Sequence, residues 1–187
     1  MTIEIRAAGP DDARAVAEVR AAGWRRAYDG LVPAEFLAAM DPAADAERYR
    51  AVWSSGGRYP RTAVALADGA VIGFATWGPY HVQPYHVQPY HGEIGAGAPA
   101  DGAAGVGELM GLYVQPGHWG SVAGHALMTH TLADLAEASL APVRLWVLAG
   151  NGRARRFYER AGFRADGASA LFPVAGAEVP EVRYSRP

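Results

Sequence analysis

The sequence of 187 residues contains no cysteine and no lysine, and these two absences exclude several kinds of chemistry. Without cysteine the chain can form neither disulfides nor thiolate metal sites, and it has no thiol nucleophile. Without lysine it cannot form a Schiff base through a lysine side chain. All 17 basic residues are arginine. In a chain this rich in alanine and glycine, that usage indicates a coding bias rather than a binding surface.

The sequence also lacks a strong net charge and a long apolar run. The formal charge is −2, with 50% apolar and 19% charged residues, so no broad basic field favours nucleic acid or a membrane surface. No apolar stretch approaches the roughly 20 residues of a membrane span, and no signal-like segment follows Met1. We therefore expect one soluble, cytoplasmic domain over residues 1–187, with no nucleic-acid or membrane partner.

Hydrophobic periodicity predicts a mixed α/β sheet. Apolar residues at helical spacing predict a helix opened by Gly9-Pro10-Asp11-Asp12, two further short helices, and helices after residues 120 and 151. Asp68-Gly69 separates two apolar segments and suits a type I′ hairpin turn. The predicted strands are 3–6, 61–67, 70–77, 108–114, 143–148, 163–165 and 179–184.

Residues 79–106 differ from the rest in composition, because glycine, proline, alanine and histidine dominate without a sustained period. The pentapeptide HVQPY occurs twice, at 81–85 and 86–90, and His91 follows. A spacing of five places His81, His86 and His91 on alternating faces of a strand and 140° apart on a helix, so regular structure does not cluster them. We predict a long variable loop and no metal site; a non-catalytic, histidine-rich metal module is the alternative.

Two motifs carry the functional interpretation. The first, GELMGLYVQPGHWGSVAGHAL at 107–127, reads as an apolar strand, a turn and a helix that begins among glycines. A helix start offers free N–H groups and a positive dipole end to phosphate, and glycine allows close approach. The second, NGRARRFYERAGF at 151–163, is a short helix with Tyr158 on its apolar face. In this order, the two motifs resemble the GNAT N-acetyltransferase superfamily over nearly the whole chain, most weakly at 79–106.

The resemblance implies a GNAT fold, with a mixed central sheet of six to seven strands flanked by helices, and acetyl-CoA as the cosubstrate. It implies acetyl transfer to a primary amine of a small molecule or peptide by direct attack. The alternative is a protein of the same fold that binds or senses acyl-CoA with little or no catalysis. Many members of the family form homodimers, but no exposed apolar stripe in the sequence indicates a dimer here.

The resemblance also implies a set of cofactor-binding residues. The strand would pair with the pantetheine arm beside a bulge at Gly111, the turn would hold the pyrophosphate, and Asn151 and Arg155 would contact the arm and the phosphates. Asn151 equally suits the N-cap of its helix. The strand and turn residues implied are Leu112, Tyr113, Val114, Trp119, Gly120, Ser121, Val122, Ala123, Gly124 and His125.

The turn departs from the family pattern Gln/Arg-x-x-Gly-x-Gly/Ala at two positions. Trp119 stands where arginine or glutamine is usual, and Val122 replaces the central glycine. A positive φ at Val122 would be strongly disfavoured for a β-branched residue, whereas a helical backbone would only crowd the phosphate. We expect the helical case, because backbone N–H groups rather than side chains bind the anion.

Acetyl transfer requires a deprotonated amine, a polarised thioester carbonyl and a proton for the leaving thiolate. By resemblance, Tyr158 is the acid and Glu108, at the start of the cofactor strand, is the base. The structural alternatives are a core tyrosine and a solvated glutamate, and His118 is a weaker candidate base. We expect the acceptor pocket to be walled by 24–33, 79–106 and 166–178, with Trp24 and Tyr28 as core residues.

Overall fold

The structure is a computed structural model that describes residues 2–58, 60–80 and 104–187. Two 3-10 helices, Pro10–Asp12 and Pro116–His118, precede the first and fourth α-helices. The strands and α-helices, in chain order, are β1 (Ile3–Ala7), α1 (Ala13–Ala27), α2 (Ala34–Ala39), α3 (Pro42–Ser54), β2 (Arg61–Ala67), β3 (Ala70–Pro79), β4 (Gly107–Val114), α4 (Ala123–Glu137), β5 (Val143–Leu148), α5 (Gly152–Arg160), β6 (Arg164–Val174) and β7 (Ala177–Arg186).

The described strands form one seven-stranded sheet in the order β1-β2-β3-β4-β5-β7-β6. Strands β4 and β5 are parallel, and the other neighbouring strands in this order are antiparallel. A parallel pair needs a long crossover, which here is helix α4. The predicted mixed sheet of six to seven strands flanked by helices is therefore confirmed.

Helices cover both faces of the sheet because the strands alternate their side chains between two cores. On β2, Ala63 and Ala65 face a core shared with Leu127 and Leu135 of α4. The intervening Val64 packs with residues of α1 and α3 on the opposite face. Alanine on the α4 side lets that helix lie close to the sheet.

The predicted hairpin turn is confirmed. Asp68 and Gly69 have φ angles of 50° and 80°, as a type I′ turn requires, and Ala67 pairs directly with Ala70. Between the end of β3 and the start of β4, the Tyr80 amide donates a 2.9 Å hydrogen bond to the Val106 carbonyl. The HVQPY repeat, including His81, His86 and His91, lies outside the described residues.

No strand was predicted between residues 166 and 178, and this is wrong, because the segment is mainly strand rather than loop. β6 extends to Val174, and a two-residue turn, Ala175-Gly176, leads into β7. The apolar alternation is visible only at Phe172 and Val174, since the preceding residues are small or polar. Gly167, with φ +90°, also lies within a register shift that interrupts the period of two.

Gly73 on β3 marks a close approach between the sheet and its neighbours. A Cβ atom there would lie 2.8 Å from the Tyr113 carbonyl oxygen and 3.2 Å from a methyl carbon of Leu127. We therefore expect Gly73→Ala to lower the free energy of unfolding by about 1–3 kcal/mol, as overpacking does. Urea unfolding followed by circular dichroism measures the change.

Gly9→Ala is the matched control, because no atom would lie within 4 Å of its Cβ and its φ of −132° suits any residue. Equal stability losses in the two variants would contradict the packing argument.

Candidate functional site

A cavity of about 410 Å³ opens on the described surface where β4 and β5 separate. The two strands pair only through Gly107 with Val143 and Glu108 with Arg144. A register shift against β3 leaves Met110 as a bulge, which increases local twist and turns the rest of β4 away from β5. The predicted bulge thus lies one residue before Gly111. Ligands commonly bind beyond the carboxyl ends of parallel strands, where this cavity lies.

The separated part of β4 forms one wall of the cavity. Leu112, Tyr113 and Val114, predicted to pair with a ligand chain, all line it. Pairing with β5 ends at Glu108, so backbone groups on this edge are available for an extended ligand. The Val114 carbonyl is the exception, because it accepts a 2.7 Å hydrogen bond from Trp119 Nε1.

The start of α4 forms one end of the cavity. Gly120 has φ +84°, and it lines the cavity together with Ser121 and Gly124. Val122 is the N-cap residue with φ −72° and ψ −8°, so its backbone is already helical, as expected. The first N–H groups of a helix have no carbonyl partner within it, and its dipole is positive there. This end is therefore suited to an anion.

Three predicted residues of the turn are placed away from the cavity wall. Val122 is 63% exposed, and Ala123 is fully buried in the core beneath α4. His125 is exposed on the first turn of α4 and does not line the cavity. The side chains at these three positions are therefore not part of the cavity wall.

Trp119 lies against two positively charged side chains at the end of the cavity formed by the start of α4. The guanidinium carbon of Arg153 lies 4.3 Å from the centre of the Trp119 ring, and that of Arg26 lies 5.9 Å from it. Both distances fit cation–π contacts. The tryptophan thus positions two arginines, from α5 and α1, near the helix start. His118 also lines this end.

Asn151 and three arginines of α5 also line the cavity. The Asn151 side chain caps α5 by accepting a 3.0 Å hydrogen bond from the Ala154 amide, and it also lines the cavity. Arg155 points elsewhere: it donates to the Tyr184 hydroxyl and the Ala149 carbonyl. The arginines of α5 that line the cavity are Arg153, Arg156 and Arg160.

Tyr158 lies deep in the cavity wall and is 9% exposed. Burial, and next the neighbouring Tyr113, raise the pKa of its phenol above the ordinary value of 10.0. The hydroxyl therefore keeps its proton throughout the neutral range. The expected helix end also appears, because Gly162 follows α5 with φ +90°. A protonated phenol at this place can act as a proton donor.

The two glutamates of this region differ in position. Glu108, the expected base, is 1% exposed and does not line the cavity. Glu181 on β7 is equally buried but does line it. Sequence reasoning missed Glu181, and it also missed Arg153 and Trp146. The sequence did contain a signal for Glu181. This carboxylate lies two residues after Val179 on a strand, and therefore at an inward position on the same face.

No group of three or more His, Cys, Asp or Glu side chains within residues 2–58, 60–80 and 104–187 is arranged to hold a metal ion. Across the same residues, no helix combines the length and the apolar character needed to cross a membrane.

Comparison with known proteins agrees with the geometry. The model of the acetyltransferase (GNAT) family matches residues 24–163. Uncharacterized N-acetyltransferases of Mycobacterium bovis and Mycobacterium tuberculosis are 43% identical over 60 residues, which cover 32% of this chain. The matched segment spans only 38% of these relatives' length.

Solved structures share the fold. PaiA N-acetyltransferase from Thermoplasma acidophilum, in complex with coenzyme A, has a TM-score of 0.69 at 20% identity, covering 97% of this chain and 98% of its own. A ribosomal-protein-alanine N-acetyltransferase from Brucella melitensis has a TM-score of 0.70 at 18% identity, covering 98% of each chain. YncA from Salmonella typhimurium, with acetyl-CoA, has a TM-score of 0.68 at 18% identity, covering 99% of this chain and 93% of its own.

The raised pKa of Tyr158 gives a spectroscopic prediction. The difference in phenolate absorbance between the wild type and Tyr158→Phe should remain absent near pH 10, where ordinary tyrosines ionise, and appear only at higher pH. The stabilisation that accompanies the raised pKa of Tyr158 is complete below the pKa of this phenol in the unfolded chain. It is lost as the pH rises through its pKa in the folded protein.

Circular dichroism at each pH limits the comparison to folded protein. A difference spectrum that titrates at the ordinary tyrosine pKa while the fold persists would contradict the buried position of the phenol.

Proposed function

Because the chain belongs to the GNAT family of acetyltransferases, we propose that it transfers an acetyl group from acetyl-CoA to a primary amine by direct attack. The observation that carries this proposal is the cavity between β4 and β5, which has an anion-binding helix start at one end and Tyr158 in its wall. The proposed acceptor is a small molecule or a peptide.

The residues of the cavity fit acetyl-CoA. The N–H groups at the start of α4 suit the pyrophosphate, and Arg153 and Arg26, stacked on Trp119, supply the positive charge that an arginine of the turn would otherwise bring. The unpaired edge of β4 suits the amide groups of the pantetheine arm. We therefore assign the phosphate role to Arg153 rather than to Arg155, whose guanidinium is bonded to Tyr184 and Ala149.

Acetyl-CoA supplies an activated acetyl group, and the chain's residues hold it and move protons. Tyr158 keeps its hydroxyl proton at neutral pH and can give it to the leaving sulfur. Burial in the cavity wall also excludes water from this proton transfer. Glu108 does not reach the cavity wall, so it has no direct part in the proposed reaction.

Val122, which replaces the central glycine of the turn, is the feature that favours the alternative of a binding or sensing protein. Its backbone is helical, with φ −72°, so the strain that a positive φ would cause does not arise, and its side chain is 63% exposed. We expect Val122→Gly to leave the affinity for acetyl-CoA unchanged in calorimetric titration, because the backbone is already placed for the phosphate. A large gain in affinity on this substitution would favour the alternative function.

Arg153→Gln should weaken the binding of acetyl-CoA by roughly fivefold, or about 1 kcal/mol, because an exposed cation near the phosphates is lost. Calorimetric titration with acetyl-CoA, beside ATP, measures the change. Arg14→Gln is the matched control, since Arg14 is an exposed helical arginine that pairs with Glu18 away from the cavity. Equal affinities in the two variants would remove Arg153 from the phosphate site.

Tyr158→Phe should lower kcat by about 100-fold or more, with little change in the KM for acetyl-CoA, because only the proton donor is removed. The release of CoA can be followed with a thiol reagent without background, since the protein contains no cysteine. The control is Tyr49→Phe, which changes a buried tyrosine of α3 outside the cavity. Unchanged turnover in Tyr158→Phe would withdraw the assignment.

A further inference from the structure

Helix α5 carries Tyr158, and the placement of this helix decides where the Tyr158 hydroxyl lies. Tyr158 projects from α5 into the cavity wall. Among residues 2–58, 60–80 and 104–187, none forms a hydrogen bond with its hydroxyl. A proton donor needs this freedom, because its hydroxyl has to contact the reacting atom. The hydroxyl is therefore positioned by the packing of its ring and by the contacts that hold α5.

Arg155 connects α5 to two neighbouring parts of the fold. Its Nε donates a 3.0 Å hydrogen bond to the Tyr184 hydroxyl on β7. Its Nη1 donates a 3.1 Å hydrogen bond to the carbonyl of Ala149, which lies in the connection between β5 and α5. The guanidinium is planar, and its N–H groups have fixed directions, so two bonds made at once define where the side chain lies.

A second side chain of α5 contacts the same hydroxyl. Tyr184 donates a 2.9 Å hydrogen bond to Glu159 Oε1. Glu159 follows Arg155 by four residues, so the two side chains lie on the same side of the helix, one turn apart. Rotation of α5 about its axis would lengthen the bonds of both side chains to Tyr184. Together, the two contacts therefore fix the rotation of the helix.

Tyr184 is a rigid point of attachment. It is 1% exposed and packs in the core that α4 and α5 share with the sheet. Its strand, β7, lies between β5 and β6, where Tyr184 pairs with Leu145 and Ala165. Side chains in such close-packed interiors stay in one rotamer on average. The position of the Tyr184 hydroxyl is consequently set by the sheet.

The connection between β5 and α5 is attached to β7 as well. The Ala149 amide donates a 2.8 Å hydrogen bond to the Pro180 carbonyl, while the Ala149 carbonyl accepts the bond from Arg155. Two residues later, Asn151 caps α5. Arg155 therefore completes a closed series of contacts that runs from β7 through the connection into the helix and back to β7.

Arg155 differs in its surroundings from the other arginines of α5. Arg153, Arg156 and Arg160 are exposed and line the cavity, whereas Arg155 is partly buried on the side that meets the sheet. An apolar side chain at this position would also exclude water, but it would make no directional contact. Hydrogen bonds have preferred distances and angles, so the arginine defines an orientation of the helix.

We infer that Arg155 is a positioning residue for Tyr158. Through its hydrogen bonds it fixes the rotation of α5, and this rotation sets the place of the Tyr158 hydroxyl in the cavity wall. The inference rests on the proposed acetyl transfer, in which Tyr158 gives its proton to the leaving sulfur. It gives Arg155 an indirect role in place of the expected contact with the cofactor phosphates.

Hydrogen exchange tests the anchoring of α5 directly. Arg155→Leu removes both hydrogen bonds, so the backbone amides of α5 should exchange about tenfold faster or more, relative to those of β2. Arg6→Leu is the matched control. Arg6 lies on β1 outside the cavity and also makes two side-chain hydrogen bonds, in its case to Asp12. It should leave the relative exchange of α5 unchanged.

Turnover tests the catalytic consequence, with acetyl-CoA and either n-butylamine or 2-phenylethylamine. Arg155→Leu should lower kcat by about tenfold or more, because a displacement of about 1 Å can cost up to about 100-fold. The KM for acetyl-CoA should stay within about twofold, since the phosphate end is unchanged. Arg155→Lys keeps a cationic donor for Tyr184 and should recover part of the kcat. Arg6→Leu should not change kcat.

Combination with Tyr158→Phe separates a positioning role from a general loss of structure. Without the Tyr158 hydroxyl there is no proton donor to place, so Arg155→Leu should lower kcat little further. A general structural loss would lower kcat by the same factor in both backgrounds. Tyr184→Phe removes a single oxygen atom and should act in the same way as Arg155→Leu. Should Arg155→Leu fail to fold, Tyr184→Phe decides the question.

Four results would overturn the inference: unchanged relative exchange of α5 in Arg155→Leu, an unchanged kcat in the folded variant, an equal loss of kcat in Arg6→Leu, or an undiminished effect of Arg155→Leu beside Tyr158→Phe. Failure of the wild type to release CoA with either amine would instead count against the proposed function. Hydrogen exchange needs no turnover, so the two proposals fail by different measurements.

Discussion

The separation of β4 from β5 is the constraint on which the rest of the site depends. The strands pair through two residues each, and the bulge at Met110 then turns β4 away. Every functional side chain discussed above is placed by an element that borders this opening. A continuous parallel pair would close the cavity and bury the backbone groups of β4 in a ladder. The bulge thus opens the cavity as well as changing the register.

Positively charged side chains lie near the start of α4, although the sequence of the turn itself does not indicate them. Trp119 stands where related turns have arginine or glutamine. The turn sequence by itself therefore indicates that a polar or positively charged side chain has been lost. In the fold, the indole ring carries Arg153 and Arg26 at 4.3 and 5.9 Å. A local motif therefore understates a site whose charged side chains come from two other helices, α5 and α1.

Secondary-structure elements were predicted correctly from the sequence where a single hydrophobic periodicity dominated. Strand 143–148 and the Asp68-Gly69 turn were predicted correctly, because an apolar run and two residues suited to positive φ leave little choice. Only the start of β6 was predicted, because residues 166–170 are small or polar and show no apolar alternation. Tyr158 lines the cavity; its apolar helix face indicated burial, whereas its place beside a ligand was predicted from the resemblance to acetyltransferases. Glu181 was missed, because its burial arises from pairing with two strands that are distant in sequence.

The bond between Tyr80 and Val106 has an evolutionary consequence. Together with packing of the two side chains, it closes β3 and β4 at the base of their connection. The register of the sheet is therefore set before the HVQPY repeat begins and after it ends. The entropy of closing a chain segment grows slowly, by about 0.6 kcal/mol for each doubling of its length. A change in the number of pentapeptides during evolution would therefore cost little free energy and leave the pairing of β3 with β4 in place.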